Sequence, residues 1–278
     1  MQSATRTVKF AGTGLDFEVL AGDTIIGPTI ERGAWEEHET RLFRAHLVPG
    51  RRVVDLGANV GWFTVIAILA GCEVHAFEPV PWIADVLERN ARAAERVGSG
   101  RAFVHRAAAG SQRGTARIAL ANGNFGDNRL LDVAGARPDD MGPGREIEIA
   151  VERVDDHVTG AVHFLKVDTQ GSEWHALQGA RALLDASPRL ALLLEFWPYA
   201  LRGATPEELV AFLTQHGFRL GKATAAPYPM SSERILRQAR ARDPVKGGLD
   251  LYGTRALPFH VGGPVDYARA LWRSLRED

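Results

Sequence analysis

The stretch "VVDLGANVGWF", Val53 to Phe63, constrains the fold more than any other part of the chain. It begins as a strand suited to burial, stops at an acid, turns through Gly57 and Gly61, and resumes as an apolar helix. Strand, glycine turn and helix in that order make a βα unit, whose turn lets backbone approach a ligand while helix N–H groups point at it. By itself this signal is weak, because the order Gly57-Ala58-Asn59-Val60-Gly61 lacks the second glycine of the dinucleotide fingerprint.

From residue 50 onward short apolar runs alternate with amphipathic segments, the pattern of parallel strands joined by helices. The pattern predicts strands over Arg52–Leu56, Glu73–Phe77, Ala102–Ala108, Val162–Val167 and Leu190–Glu195. It predicts helices over Val60–Leu69, Trp82–Arg96, Ser172–Leu184 and Pro206–His216. The expected fold class is α/β, with a doubly wound, mostly parallel sheet. Residues 1–50 read as a hairpin and a helix ("GAWEEHETRLFRAHL") packed on a main domain over residues 51–278. Two segments break the alternation. Residues 114–151, with "NGNFGDN" and "GARPDDMGPG" between strand-like runs, predict a β insertion with a mobile loop. Residues 225–250, rich in Pro, Arg and Ser, predict a loop or lid outside the core, while "LDLYGTRA" reads as a late sheet strand and "PVDYARALWRSLRED" as a closing helix.

Composition narrows the partners. The 278 residues suffice for one large α/β domain. With 33 Lys and Arg against 34 Asp and Glu, bulk charge offers no field for nucleic acid or an anionic membrane, and neither is expected as a partner. Cys72 is the only cysteine, which excludes an internal disulfide and a multi-cysteine zinc site and fits a cytoplasmic chain. No apolar segment has signal-peptide character at the N-terminus, and Val60–Ala70 is too short to span a bilayer. Scarce lysine beside abundant arginine and alanine fits a GC-rich bacterial genome.

Acids at the strand ends select the cofactor. Asp55 ends its strand where a dinucleotide enzyme would hold a pyrophosphate, and like charges at roughly 4–5 Å repel by about 1 kcal/mol in water and several times that near protein. S-Adenosylmethionine carries an ammonium and a sulfonium without a phosphate, so it suits the same carboxylate. Glu78 ends the next strand in "VHAFEP", where a carboxylate can accept from both ribose hydroxyls at about 1.5–3 kcal/mol per bond. Helix capping is the bland alternative for either acid, but two consecutive strand ends beside a glycine turn outweigh it.

Together "VVDLGANVGWFT", "HAFEPVP", "FLKVDTQGSEWHALQGA" and "LLLEFWP" resemble the FkbM family of S-adenosylmethionine-dependent methyltransferases, of the class I fold, over about Trp35 to Pro198. The most specific of these motifs is K-x-D-x-Q-G-x-E after the fourth strand. The resemblance implies a Rossmann-like, seven-stranded, mostly parallel sheet with an antiparallel last strand, helices on both faces and a cofactor at the first strand's end. The expected cofactor set is Asp55, Gly57, Ala58, Asn59, Gly61, Glu78 and Pro79, to which the resemblance adds Asn128 of "NGNFGDNRL".

Methyl transfer from a sulfonium is an in-line displacement, in which alignment supplies about 7–11 kcal/mol and a positioned base about 10²–10⁴-fold. Asp168 ends the fourth strand, neighbour of the first across the switch point, and is the expected base. Lys166 is expected to pair with a carboxylate, and Gln170 and Glu173 to orient groups around the acceptor. Glu195 ends an otherwise apolar run and needs a partner, be it Lys166, the substrate or a divalent cation shared with Asp168. Scattered acids are poor grounds for a metal, and none is assigned. Trp197 is expected to wall the acceptor, and His105, near the third strand's end, to have a route to the crevice. The expected function is O-methylation of a small-molecule hydroxyl, on a sugar or a natural-product scaffold. Methylation of an amine, a carboxyl or a protein side chain is the nearest alternative, ahead of a dinucleotide oxidoreductase or a non-catalytic binding module. The acceptor and the oligomeric state stay open, a homodimer being compatible with the sequence.

Overall fold

Val53 and Val54 point to opposite faces of one strand and both are buried, which requires protein on both sides of the sheet. The computed structural model, which describes residues 4–10, 13–33, 35–131, 144–242 and 248–259, shows that arrangement. The chain opens with a hairpin, β1 (Thr5–Lys9) and β2 (Asp16–Leu20), and two short helices, α1 (Ile26–Glu31) and α2 (Glu37–Arg44). The alternation follows as β3 (Arg52–Leu56), α3 (Trp62–Leu69), β4 (Glu73–Phe77), α4 (Pro81–Glu95) and β5 (Arg101–His105). After the strands β6 (Ala108–Ala109), β7 (Gly114–Ala119), β8 (Arg129–Leu130) and β9 (Glu146–Glu152) come β10 (Phe164–Val167), α5 (Glu173–Gln178), α6 (Arg181–Ala186) and β11 (Leu190–Phe196). The described chain closes with α7 (Pro206–Gln215), β12 (Arg219–Lys222), α8 (Ser232–Arg240) and β13 (Leu249–Arg255).

Seven of these strands form the central sheet in the order β12-β13-β11-β10-β3-β4-β5. Only β13 runs antiparallel to its neighbours. One face packs Val53, Val74, Phe164 and Leu193 against α2, α3, α4 and the hairpin, and the other packs Val54, Leu165, Leu192 and Leu194 against α5 to α8. From β3 the chain moves outward through β4 to β5, whereas β10 lies on the other side of β3. The reversal creates a crevice at the carboxyl ends of β3 and β10, the place where open α/β sheets bind ligands.

Several sequence expectations need correction. The third strand ends at His105, and Ala108–Ala109 leaves the central sheet to pair with β9 in a separate sheet, β6-β9-β7-β8. The single helix expected over Ser172–Leu184 is two helices, because an added Cβ at Gly179 would lie 1.9 Å from the Gly110 carbonyl oxygen and the chain turns there. The segment expected as a lid contains α8, whose Ile235 and Ala239 are buried in the second face of the core. Its amphipathic character was hidden by four arginines in a short stretch. The strand expected near residue 250 is β13. Most of "GARPDDMGPG" and all of the expected closing helix lie outside the described residues. Among the described residues no helix is long and apolar enough to cross a membrane.

The hairpin is fastened to the core through Asn90, which is 1% exposed. Its Oδ1 accepts from the Glu18 N–H at 2.7 Å, and its Nδ2 donates to the carbonyls of Glu18 at 2.9 Å and Val60 at 2.7 Å. Phe10 and Phe17 then pack on Trp62 of α3, with ring centroids 4.6 and 6.5 Å apart. Asn90→Ala leaves buried backbone groups unpaired, so a loss of about 2–3 kcal/mol is expected, read as a lowered urea midpoint at unchanged slope. An unshifted midpoint would show that the hairpin contributes nothing to global stability.

Candidate active site

The turn after β3 and the turn after β10 touch backbone to backbone. Gly57 adopts φ +78°, and an added Cβ would lie 1.8 Å from the Asp168 carbonyl oxygen. The N–H groups of Gly57 and Ala58 both donate to the Phe77 carbonyl, at 3.1 and 3.0 Å, which ties the same turn to the end of β4. Three strand ends thus converge on one cavity of about 370 Å³, within the roughly 300–1,000 Å³ usual for small-ligand sites.

Glu78 lies on that cavity wall with its carboxylate held by backbone. Oε2 accepts from the Asn59 N–H at 3.0 Å and Oε1 from the Val80 N–H at 2.9 Å. A carboxylate offers about four lone-pair sites, so each oxygen keeps one for an incoming hydroxyl. Burial pushes the Glu78 pKa up from 4.5 to about 7, against the pull of these two hydrogen bonds. Asn59 sits at φ +51°, with its Nδ2 donating to the Phe125 carbonyl at 3.2 Å, and so joins the turn to the 124–128 loop. Pro79 and Ala58 line the same wall. Asn128 does too, but its side chain is spent on the loop, accepting from the Ala121 N–H at 2.9 Å and donating to the Phe125 carbonyl at 2.8 Å.

At the β10 end the polar groups form a chain. Lys166 Nζ donates to Asp168 Oδ2 at 3.0 Å, and Gln170 Nε2 bridges Asp168 Oδ1 at 2.8 Å and Glu195 Oε2 at 2.9 Å. Burial works against the Lys166 ammonium, yet Asp168, Asp55 and Glu36 together hold its pKa above the ordinary lysine value. The ammonium also lies 5.0 Å from the centroid of the Phe63 ring. Burial raises Glu195 well above the usual carboxylate range, and Asp168, Glu173 and Asp250 add to the rise. Lys166, Asp168, Gln170, Glu195 and Trp197 all line the cavity, and the Arg129 guanidinium lies 4.3 Å from the Trp197 ring centroid.

Four expected site residues stand elsewhere. Asp55 is 1% exposed and sits beneath the glycine turn, off the cavity lining, because its side chain points to α3 and accepts from Thr64 Oγ1 at 2.7 Å. Its other oxygen has no hydrogen-bond partner, and burial raises its pKa while Lys166, its register neighbour on β10, lowers it. Gly61 serves helix packing, since an added Cβ would lie 2.7 Å from Leu87 Cδ1. Glu173 clamps the β10 turn through one oxygen, accepting from Thr169 N and Gly171 N at 3.0 Å and from Thr169 Oγ1 at 3.1 Å. His105 is kept from the cavity by a ring stack, 4.3 Å from Phe77 and hydrogen-bonded to His75 at 3.1 Å. Burial beside His157 and His75 depresses its pKa to about 4.

Two lining acids escaped sequence reasoning. Asp250 is the register partner of Glu195 on the antiparallel β13, so the second residue of that strand reaches the edge where the parallel strands end. An acid at the start of the strand before "LYGTR" was the available signal. Glu36 lines the cavity from the residue before α2, at φ +43°. Among the described residues no group of three or more His, Cys, Asp or Glu side chains could hold a metal.

A doubly wound seven-stranded sheet with one antiparallel strand, a glycine turn after β3 and a carboxylate after β4 defines a class I methyltransferase. Residues 55–220 match the Methyltransferase FkbM domain. The 31-O-demethyl-FK506 methyltransferase FkbM of Streptomyces tacrolimicus is 31% identical over 224 residues, which is 70% of this chain and 82% of that protein. The chain therefore belongs to the FkbM methyltransferase family and is an S-adenosylmethionine-dependent methyltransferase. Among solved structures, magnesium protoporphyrin IX methyltransferase (ChlM) of Synechocystis PCC 6803 with bound SAM aligns at TM-score 0.44 and 13% identity, covering 84% of this chain and 85% of that one. P. horikoshii TYW2 in complex with MeSAdo aligns at TM-score 0.44 and 11% identity, covering 91% and 73%. Likenesses at that level have no bearing on the site.

The donor set fits the family's cofactor. Glu78 keeps two lone pairs for ribose hydroxyls, and the Gly57 turn keeps backbone bare beside them. Gly57→Ala should abolish S-adenosylmethionine binding by calorimetry, because its Cβ forces the two turns apart. Gly14→Ala, at φ +72° with nothing within 4 Å, should cost only about 1–2 kcal/mol of backbone strain and leave binding intact. Glu78 also predicts a pH dependence. A carboxyl raised from 4.5 to about 7 stabilises the ligand-free protein below about 4.5, and that contribution is lost as pH rises through about 7. Ribose needs the ionised form, so cofactor affinity should rise with pH up to about 7 and then level, and Glu78→Gln should flatten the profile. A wild-type affinity independent of pH from 5 to 8 would remove Glu78 from the ribose site.

Proposed function

We propose that this enzyme transfers a methyl group to a hydroxyl of a small molecule, with Asp168 receiving the hydroxyl proton. The carrying observation is the contact of Gly57 with Asp168, which sets the Asp168 carboxylate on the cavity wall next to the cofactor turn. S-Adenosylmethionine, when bound, supplies an electrophilic methyl on a sulfonium. Glu78 would accept the ribose hydroxyls, and the glycine turn would let the methionine end approach. Lys166 and Gln170 hold the two oxygens of Asp168 and fix its direction. Asp168 would take the acceptor's hydroxyl proton as the methyl passes from the sulfonium to the acceptor oxygen, the sulfur keeping the electron pair of the broken carbon–sulfur bond. The name of the Streptomyces tacrolimicus relative, a methyltransferase of 31-O-demethyl-FK506, supports an oxygen acceptor on a natural-product scaffold.

Labelled S-adenosylmethionine offered with a panel of alcohols, amines and carboxylic acids tests this reading. An alcohol substrate should emerge, and Asp168→Asn should lower kcat about 10²–10⁴-fold while cofactor affinity stays within about threefold. A carboxylic acid substrate needs no base, so a kcat insensitive to Asp168→Asn would count against a hydroxyl acceptor.

A further inference from the structure

Among the described residues six acids line the cavity, Glu36, Glu78, Asp127, Asp168, Glu195 and Asp250; Asp127 is paired with Arg129, and the one lining cation is Lys166. That ammonium is already bonded to Asp168, and Glu78 is fixed by backbone N–H groups. Glu195 receives a hydrogen bond from the Gln170 amide. Glu36 and Asp250 receive none from any described residue; Glu36 feels the charge of Lys166 and Asp250, and Asp250 that of Lys166 and Arg242. Glu36 is half-buried and Asp250 exposed on the cavity wall, and the group that satisfies such carboxylates best is a cation with N–H donors.

Their position separates them from the cofactor's grip. Glu195 and Asp250 stand side by side in register on β11 and β13. Asp250 belongs to the third strand from β3 and the fourth from β4. Neighbouring strands lie about 4.8 Å apart, which puts it roughly 14 Å across the sheet from the glycine turn and roughly 19 Å from the ribose acid. Asp168 lies between, so a cofactor held at Glu78 and Gly57 leaves the Asp250 end to the acceptor. Asp250 is exposed to the cavity and free to meet a ligand.

Resting on the O-methyltransferase reading, we propose that Asp250, with Glu195 beside it and Glu36 nearby, binds a protonated amino group of the acceptor. The substrate class is then an amino alcohol of the amino-sugar or aminocyclitol kind, methylated on a hydroxyl while its ammonium is anchored at this end of the cavity. Asp250 acts as a specificity residue and takes no part in bond making. Surrounding protein, with Glu39 and Asp168 adding repulsion against the pull of Lys166 and Arg242, pushes its pKa up to about 7.

Binding and turnover give separate readouts. Enzyme saturated with S-adenosylhomocysteine is titrated by calorimetry with 2-amino-2-deoxy sugars and aminocyclitols, each against its N-acetylated and its parent hydroxyl form. The amines should bind at least tenfold tighter, and Asp250→Asn should erase that preference without changing the affinity for S-adenosylhomocysteine or the thermal midpoint. Asp250→Glu should keep part of the preference, which a merely structural role would not predict. Equal binding of amine and neutral forms overturns the proposal, and so does a loss of cofactor affinity in Asp250→Asn that matches the loss for the amine. If the amine preference holds but the methyl appears on nitrogen, or nowhere, the hydroxyl reading fails and the ammonium site stands.

Discussion

The contact between Gly57 and the Asp168 carbonyl is the constraint on which the site depends. Any side chain at residue 57 would occupy the space of that carbonyl, so the turns after β3 and β10 can meet only because one of them lacks a Cβ. Meeting there closes the crevice at the switch point into a cavity with backbone for a floor. Gly171 repeats the device on the far side, where an added Cβ would lie 2.3 Å from the Ala200 carbonyl oxygen and the β10 turn packs on the chain after β11. Asp168, Thr169 and Gln170 lie between these two close approaches.

Lys166 makes the acidity of this region tolerable. It is buried, in register with Asp55, and bonded to Asp168 two residues later on the same strand face. The repulsion that Asp55 offers a phosphate, argued from its place at a strand end, is consequently weaker than its formal charge, since an ammonium faces it and Thr64 holds one oxygen. Among the described residues the lining acids outnumber the one lining cation, Lys166, a balance unfavourable to a phosphate. Asp55 helps the site by holding Lys166 charged, and Lys166 in turn bonds Asp168.

Local physics made much of this legible in the sequence. The inner parallel strands β3, β4, β10 and β11 announced themselves as apolar runs, because burial on both faces leaves no polar alternation, whereas the edge strand β12 (Arg219–Lys222) was missed; the glycine turn and Glu78 stood where a strand must hand over to a helix. Lys166, Asp168, Gln170 and Glu195 were found for the same reason and do converge on the cavity. What escaped depends on contacts distant in sequence. The direction of Asp55 toward α3 follows from the pleat, which a strand boundary does not reveal to within one residue. Asp250 was overlooked because acids were sought at the ends of strands, and an antiparallel strand delivers its beginning to that edge. The division of α5 from α6 reflects a carbonyl from Gly110, almost seventy positions away in the chain.

The sheet order itself sorts the acids by task. From β4 inward, Glu78 is clamped by two N–H groups, Asp168 by an ammonium and an amide, Glu195 by one amide, and Asp250 by nothing from the described residues. Internal satisfaction thus falls with distance from Glu78. A residue that must present a fixed geometry to an invariant cofactor gains from being held by its own protein, because every enzyme turnover needs the same arrangement. A residue that meets the acceptor gains from being left open, because its hydrogen bonds are then made only when the correct molecule arrives, and a partner lacking the matching donor leaves a carboxylate unpaired in a confined space. On the proposed reading, the gradient from Glu78 to Asp250 would follow a division of the cavity between a constant ligand and a selected one.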